Sequence, residues 1–110
     1  MIIQYVRYKI NFSETQEFQA AYAEAVEILK KSPHCRSWEL TRGLEDPDRF
    51  VMRIEWDSLD GHMKDFRVRP EYRVYFAPLT RFFEYIEEMG HYARTSVVGT
   101  APEETKGSEE

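Results

Sequence analysis

The segment Arg49–Phe66 most constrains the fold, because its pattern changes from that of a strand to that of a helix within a few residues. Its first half places Phe50, Met52, Ile54 and Trp56 on one side of a strand and Val51, Arg53 and Glu55 on the other. Asp57 and Ser58 then supply side-chain oxygens for the unpaired N–H groups of a new helix. Apolar residues follow at helical spacing, with His62 among them. We therefore expect Trp56 and His62 to approach each other between sheet and helix.

The remaining segments complete an α+β pattern with four strands. The expected order is a strand over Ile2–Ile10, a helix from Ser13 to about Lys31, strands over Cys35–Arg42 and Phe50–Trp56, a helix broken near Pro70, and a strand in the second half of Phe83–Arg94. The short turn between the second and third strands predicts an antiparallel hairpin. The order βαββαβ predicts the ferredoxin-like fold, with one antiparallel sheet and helices on one of its faces. Since the other face has no cover within the chain, we expect a homodimer.

The distribution of charge separates a patterned region from an acidic tail. Residues 96–110 show no periodicity and are mostly small, polar and acidic. Residues 99–110 contain four Glu and one Lys, and therefore carry −3 of the net charge of −5. We expect one folded domain over residues 1–95 and a disordered tail over residues 96–110.

Charge and motif content argue against several classes of function. Without the tail the charge is nearly balanced, and no basic stripe is present, so we expect no nucleic-acid binding. No apolar run approaches the roughly 20 residues that a membrane span needs. The lone Cys35 cannot form an intrachain disulfide, which suits the reducing cytoplasm. We expect neither a metal nor a nucleotide cofactor, because the histidines and Cys35 lack ligand spacing and no glycine-rich phosphate loop is present.

Several short motifs share the order and spacing of a known family. They are Ser32-Pro33-His34-Cys35 with Glu39-Leu40, Asp46-Pro47-Asp48-Arg49-Phe50, Ile54-Glu55-Trp56-Asp57-Ser58 with His62, Pro78-Leu79, and His91-Tyr92. Together these motifs, which span roughly residues 1–95, resemble the antibiotic biosynthesis monooxygenase family of dimeric α+β barrels. The resemblance implies a homodimer whose sheets pack face to face, and a pocket in each subunit between sheet and helices.

The resemblance also implies an activity. Several members of the family oxidise aromatic phenols or quinols with O2 and without a metal or a flavin, because an electron-rich phenolate can itself pass an electron to dioxygen. Such a site needs an apolar pocket, a group that helps to deprotonate the phenol, and donors that hold the developing anion. The expected partners are therefore a small aromatic substrate and O2.

Six residues are candidates for these roles. His62 is the candidate base, and Trp56 is the second candidate catalytic residue, able to stack on the ring or to donate a hydrogen bond. The candidate substrate-binding residues are Tyr72, Phe66, Arg53 and Arg7, with either arginine as the oxyanion donor. Trp56 and His62 each have a structural alternative, because a tryptophan at a strand end and a histidine on an apolar helix face are more often core residues.

Haem degradation is not expected, and two alternatives to an enzyme remain open. Some relatives degrade haem with an Asn, a Trp and a His, but the corresponding Trp and His positions fall near Asp65 and Tyr75 here, which argues against haem degradation. The main alternative to an enzyme is a non-catalytic dimeric protein of the same fold, either one that binds a small apolar molecule or a stress-related protein. The other alternative is a purely structural dimer. A cavity of roughly 300 Å³ or more, lined by Trp56 and His62, favours the enzyme, whereas a filled pocket favours the non-catalytic protein.

Overall fold

A four-stranded antiparallel sheet with helices on one face organises the chain. A computed structural model describes residues 1–102. The strands are β1 (Ile2–Lys9), β2 (Cys35–Arg42), β3 (Arg49–Trp56) and β4 (Ile86–Ala93), and the α-helices are α1 (Thr15–Leu29) and α2 (Pro70–Phe76). The strand order is β2-β3-β1-β4, and each neighbouring pair is antiparallel. This arrangement confirms the α+β, ferredoxin-like βαββαβ fold expected from the sequence.

The alternation of the central strands decides which side chains the helices cover. The buried core joins Val6, Tyr8, Phe50, Met52, Ile54 and Trp56 of β1 and β3 to Phe18, Tyr22, Ala25 and Leu29 of α1. Full burial of one such large apolar side chain stabilises the fold by about 1.5–3 kcal/mol. The intervening residues of the two strands, among them Arg7 and Arg53, point to the opposite face of the sheet.

The helix boundaries differ from the expected ones where short turns intervene. A 3-10 turn (Phe12–Glu14) precedes α1, because Asn11 Oδ1 accepts the Ser13 N–H at 3.2 Å and caps this turn first. Helix α1 therefore begins at Thr15 rather than at Ser13. The second helical region is also divided, into a π-helical turn (Gly61–Asp65), a 3-10 turn (Phe66–Val68), α2 and a 3-10 segment (Ala77–Tyr85).

Two side-chain contacts hold the start of the second helical region. Ser58 Oγ accepts the Gly61 N–H at 2.9 Å and so acts as the cap. Asp57, the other expected cap, instead bonds to His34 Nδ1 at 3.1 Å. The His34 side chain packs so closely on Gly61 that a Cβ at position 61 would lie 2.7 Å from His34 Cβ. Glycine is therefore needed here for space, since its backbone angle φ is negative.

The chain after β4 adds no regular element among the described residues. Residues 94–102 contain neither helix nor strand. Residues 103–110, the end of the tail for which we expect disorder, lie outside the described residues, so that expectation stays a prediction. No helix within residues 1–102 is long and apolar enough to cross a membrane.

Replacing Gly61 with alanine is expected to destabilise the fold by about 1–3 kcal/mol, the usual cost of overpacking a tight site. The new Cβ would also meet His34 Cγ at 2.7 Å and Asp57 Oδ1 at 2.8 Å. Urea denaturation measures the change in the free energy of unfolding. Gly99→Ala is the matched control, because nothing lies within 4 Å of a Cβ at position 99. Equal stabilities of the two variants would contradict the close packing at position 61.

Candidate functional site

A cavity of about 110 Å³ lies between the sheet and the second helical region. Four of the six candidate residues, Trp56, His62, Phe66 and Tyr72, line it. They come from the end of β3, the π-helical turn, the following 3-10 turn and α2, so four short elements meet at one place. The approach of Trp56 and His62 expected from the sequence is therefore present, while their chemical roles stay predictions.

Trp56 forms the floor of the cavity beneath His62. Its side chain is 0% exposed, and its indole N–H donates to Gln4 Oε1 at 3.0 Å. The Gln4 amide nitrogen in turn lies 3.6 Å from Met89 Sδ. Because a buried indole N–H without an acceptor is costly, the bond to Gln4 holds both side chains in place. The indole N–H is thus already bonded to Gln4. Trp56 therefore has no free N–H for the hydrogen bond to a substrate that we expected from the sequence.

The imidazole of His62 stacks on the Trp56 indole, with ring centroids 4.4 Å apart and an interplanar angle of 17°. The residue is 5% exposed, and its Nδ1 lies 2.9 Å from Nε2 of His91. Burial, and then the positive charges of a protonated His91 and of Arg67, lower the pKa of His62 to about 4. His62 is therefore neutral at pH 7 and can accept a hydrogen bond, although by itself it is a weak base.

His91 reaches the cavity from the edge strand β4, where it pairs with Gln4 of β1. Its side chain is exposed. Partial desolvation, and then the charge of Arg67, lower the pKa of His91 below its usual value. The contact between His62 and His91 joins residues 29 positions apart in the chain, so it follows from the fold rather than from local sequence.

Three buried tyrosines form the other end of the cavity wall. Tyr8 lies on β1 about 13 Å along the strand from Gln4, and its hydroxyl is 2.6 Å from that of Tyr22 on α1. Tyr75 of α2 is buried and lines the same cavity. Desolvation raises the pKa of Tyr8 to about 12 and raises the pKa values of Tyr22 and Tyr75. All three phenols therefore stay protonated at neutral pH, and polar groups stand at both ends of a mainly apolar space.

Arg7 and Arg53 do not line this cavity, in contrast to the expectation that one of them contacts the substrate there. The cavity-facing residues of β1 and β3 all have even numbers, and successive side chains of a strand point to opposite faces. On the opposite face, Arg7 pairs with Glu88 at 3.2 Å and Arg53 with Glu55 at 3.6 Å. The arginine that does line the cavity is Arg67.

The cavity is smaller than the sequence analysis required for a ligand site. Its volume of about 110 Å³ lies below the roughly 300 Å³ of typical ligand pockets. An apolar cavity of about 150 Å³ can hold benzene, so this cavity is somewhat smaller than one aromatic ring requires. Phe83, which is exposed, and Phe76, which is half-buried, both line the cavity. These two rings lie on α2 and on the following 3-10 segment, not on the sheet.

Gln4, His91 and the buried tyrosines are site residues that the sequence analysis did not single out. Gln4 carries a usable signal, because an amide inside an otherwise apolar strand needs a buried partner. His91 is part of the family motif His91-Tyr92 but is not among the six candidate residues. Its pairing with His62 depends on the register of β4 against β1, for which no local pattern exists.

The described residues offer no cluster suited to a metal ion. Within residues 1–102, no group of three or more His, Cys, Asp or Glu side chains converges as metal ligands would. Burial raises the pKa of the Cys35 thiol to about 12, so this thiol is protonated at neutral pH and is a poor nucleophile.

Comparison with known proteins relates the chain to one family. The sequence model of the family described as antibiotic biosynthesis monooxygenase matches residues 1–78. The match includes Trp56, His62 and Tyr72 but ends before His91. A curated relative, the uncharacterised protein YczJ of Bacillus subtilis, is 27% identical over 77 residues, which are 70% of this chain and 81% of that protein.

Solved structures share the fold at low sequence identity. A candidate antibiotic biosynthesis monooxygenase from Bordetella bronchiseptica has a TM-score of 0.71 at 22% identity, over 86% of this chain and 96% of that chain. A second candidate monooxygenase, from Deinococcus radiodurans, has a TM-score of 0.72 at 12% identity, over 93% and 100%. A conserved protein from Methanosarcina mazei has a TM-score of 0.71 at 18% identity, over 86% and 92%. At these identities the likeness shows the fold alone.

The neutral state of His62 predicts a loss of stability in mild acid. The unfolded chain protonates this imidazole near pH 6.5, whereas the folded chain does so only near its lowered pKa of about 4. The contribution of His62 to the free energy of unfolding is therefore fully present above pH 6.5. It falls as the pH decreases toward 4, by up to about 1.4 kcal/mol per pH unit. Urea denaturation at pH 7 and pH 4.5 measures the free energy of unfolding at each pH. Between these pH values the free energy of unfolding of His62→Gln should fall by about 2 kcal/mol less than that of the wild-type protein.

The difference between the two proteins isolates His62. His91 also has a lowered pKa, but it is present in both proteins. Acidic groups with lowered pKa values, such as Asp57 beside His34, lose their contribution only at lower pH. An identical pH dependence of the two proteins would show that His62 is not held neutral by burial.

Proposed function

Because the chain belongs to the antibiotic biosynthesis monooxygenase family, we propose that it is a cofactor-independent monooxygenase that oxidises a small aromatic phenol or quinol with O2. The observation that carries the proposal is the neutral His62, stacked on the buried Trp56 at one end of an aromatic-lined cavity. The hydroxyls of Tyr8 and Tyr22, 2.6 Å apart, form a second polar group at the other end of this cavity.

In this proposal His62 accepts the phenol proton. A neutral imidazole keeps one nitrogen lone pair for a hydrogen bond, and the surrounding aromatic side chains limit access of water. Loss of the proton makes the ring electron-rich enough to pass an electron to O2. Arg67, which lines the cavity, holds the developing anion in the role that the sequence analysis gave to Arg53 or Arg7.

For a phenol the proposed reaction balances without an added reductant. One atom of O2 becomes the second carbonyl oxygen of a quinone, and the other leaves as water with the phenolic hydrogen and the hydrogen of the oxidised ring carbon. The protein then needs only to bind the ring and to move protons. Phe66 and Tyr72, whose rings meet edge to face at 5.7 Å, provide the packing surface for the substrate.

The small cavity favours a second candidate function. In this case the chain is a non-catalytic dimeric protein of the same fold, either one that binds a small apolar molecule or a stress-related protein. A volume of about 110 Å³ requires movement of the aromatic wall before any ring enters. Such a protein needs the apolar walls but has no use for the lone pair of His62. Substitution of His62 therefore affects oxygen consumption in the first case and only ligand affinity or stability in the second.

We also propose that the chain forms a homodimer through the sheet face that α1 and α2 leave uncovered. The rings of Tyr5 and Tyr92 on this face meet edge to face at 5.5 Å, and Tyr92 is 51% exposed. Exposed aromatic side chains on a sheet are enriched at subunit interfaces. The same face of a second chain supplies a self-complementary cover.

Oxygen uptake over a panel of anthrones and hydroquinones tests the proposed reaction. The purified, chelator-treated protein should consume O2 above the buffer rate without any added cofactor. His62→Gln should lower kcat/KM by about 10²–10⁴, the usual contribution of a positioned base. Trp56→Phe should lower it about tenfold or more, because His62 then loses part of the surface on which it stacks.

Lys64→Gln is the matched control for these variants. Lys64 lies on the same π-helical turn as His62, and its side chain is 79% exposed. Melting temperatures close to that of the wild-type protein are needed before the rates are compared. If no compound in the panel supports uptake while ring compounds still bind, the non-catalytic function is favoured.

Light scattering after size-exclusion chromatography should give twice the 13.2 kDa mass of one chain. Tyr92→Asp should convert the dimer into a monomer, because it places an unpaired charge on the covered face. Lys30→Gln, at the exposed end of α1, should leave the mass unchanged. A wild-type protein with the mass of one chain at micromolar concentration would refute the dimer.

A further inference from the structure

Two imidazoles in direct contact connect the cavity with the surface. His62 Nδ1 lies 2.9 Å from His91 Nε2, and the ring planes are inclined by 46°. His62 is 5% exposed, whereas His91 lies exposed on the edge strand β4. A nitrogen–nitrogen contact of this length requires a proton between the rings, because two lone pairs would repel each other.

The position of that proton decides what His62 offers to the cavity. With the proton on Nδ1 of His62, the other nitrogen, Nε2, keeps a lone pair. Among the described residues, 1–102, the ring of His62 makes one hydrogen bond, and this bond joins its Nδ1 to His91. His62 Nε2 is thus available to a ligand, while His91 keeps its own proton on Nδ1, the nitrogen that does not face His62.

We propose that His62 and His91 act as a two-histidine proton relay, in which His62 exchanges a proton with the substrate and His91 exchanges it with solvent. The inference rests on the proposed function for the identity of the substrate. It adds a second residue and an exit for the proton to that reaction.

Each step of the relay conserves protons. The substrate O–H bond breaks as an Nε2–H bond forms on His62. The Nδ1–H bond of His62 breaks as an Nε2–H bond forms on His91, and His91 then releases its Nδ1 proton to water. The reverse movement delivers a proton to reduced oxygen and restores the starting tautomers. The substrate therefore loses a proton without leaving a charge on the buried His62.

The groups around the pair suit this division of roles. Arg67, from the 3-10 turn, is the charged residue among those that line the described cavity, whereas Gln4 on β1, Trp56 on β3 and Met89 on β4 are uncharged. Burial and the charge of Arg67 make an isolated imidazolium at His62 costly, as its pKa of about 4 indicates. The pKa of His91 is also lowered, so an imidazolium there passes its proton readily to water.

Nitrogen NMR of the imidazole rings tests the pairing without any substrate. In the wild-type protein at pH 7, His62 should be the Nδ1–H tautomer and should show a coupling across the hydrogen bond to His91. His91→Gln offers an acceptor oxygen and should keep this tautomer, whereas His91→Phe should shift His62 toward the Nε2–H tautomer. The signals of His34 provide an internal control. A wild-type His62 in the Nε2–H tautomer would overturn the proposal.

Kinetic measurements separate a relay from a purely positioning role. His91→Gln keeps an acceptor for His62 but cannot pass the proton on, so kcat for oxygen uptake should fall about tenfold or more while KM changes little. Free imidazole should restore part of the rate of His91→Ala, where the vacated space admits it. Lys64→Gln should keep the wild-type rate.

The outcomes for the relay and for the proposed function are distinguishable. A wild-type rate in His91→Gln would overturn the relay and leave the oxygenase proposal intact. If the wild-type protein consumes no oxygen, the proposed function fails, and exchange of the His62 Nδ1 proton with water still decides the relay. That exchange should be about tenfold slower in His91→Gln than in the wild-type protein, and equal exchange rates would overturn the relay.

Discussion

The hydrogen bond from the Trp56 indole to Gln4 is the interaction on which the candidate site depends. It joins the last residue of β3 to β1 inside the core, with a nitrogen–oxygen distance of 3.0 Å. Leaving such a buried donor unpaired costs about 1–3 kcal/mol. The bond fixes the orientation of the indole, and the His62 ring stacks on it with the ring centroids 4.4 Å apart. The position of the candidate base therefore follows from a polar contact made by its neighbour.

A second set of contacts holds the turn that carries His62. His34, just before β2, lies between Asp57 at the end of β3 and Asp65 at the end of the π-helical turn, at 3.1 Å and 3.4 Å. The bond with His34 lowers the pKa of Asp57, and the bond with Arg69 lowers that of Asp65. Gly61 allows the close approach that these contacts require. A π-helical turn is a frequent feature of functional sites, and here it directs His62 toward the sheet.

The distribution of charge distinguishes the two faces of the sheet. Arginine–glutamate pairs such as Arg7–Glu88 and Arg53–Glu55 lie on the face away from the helices. The cavity on the helix face instead contains neutral histidines, protonated phenols and the single guanidinium of Arg67. Such a site is suited to moving protons and to holding an aromatic ring. Since one fold supports many reactions, the functional proposal needs this site chemistry in addition to the family membership.

Local sequence determined the strands, the hairpin and the meeting of Trp56 with His62, because each depends on side-chain periodicity or on a strand end followed directly by a helix cap. The same alternation places Arg53 on the face away from Trp56, which explains why Arg53 does not line the cavity. The tertiary structure alone decided that Gln4 accepts from Trp56 and that His91 bonds to His62. These contacts depend on the pairing of β1 with β3 and β4, and strand register between distant segments leaves no periodic signal in either segment.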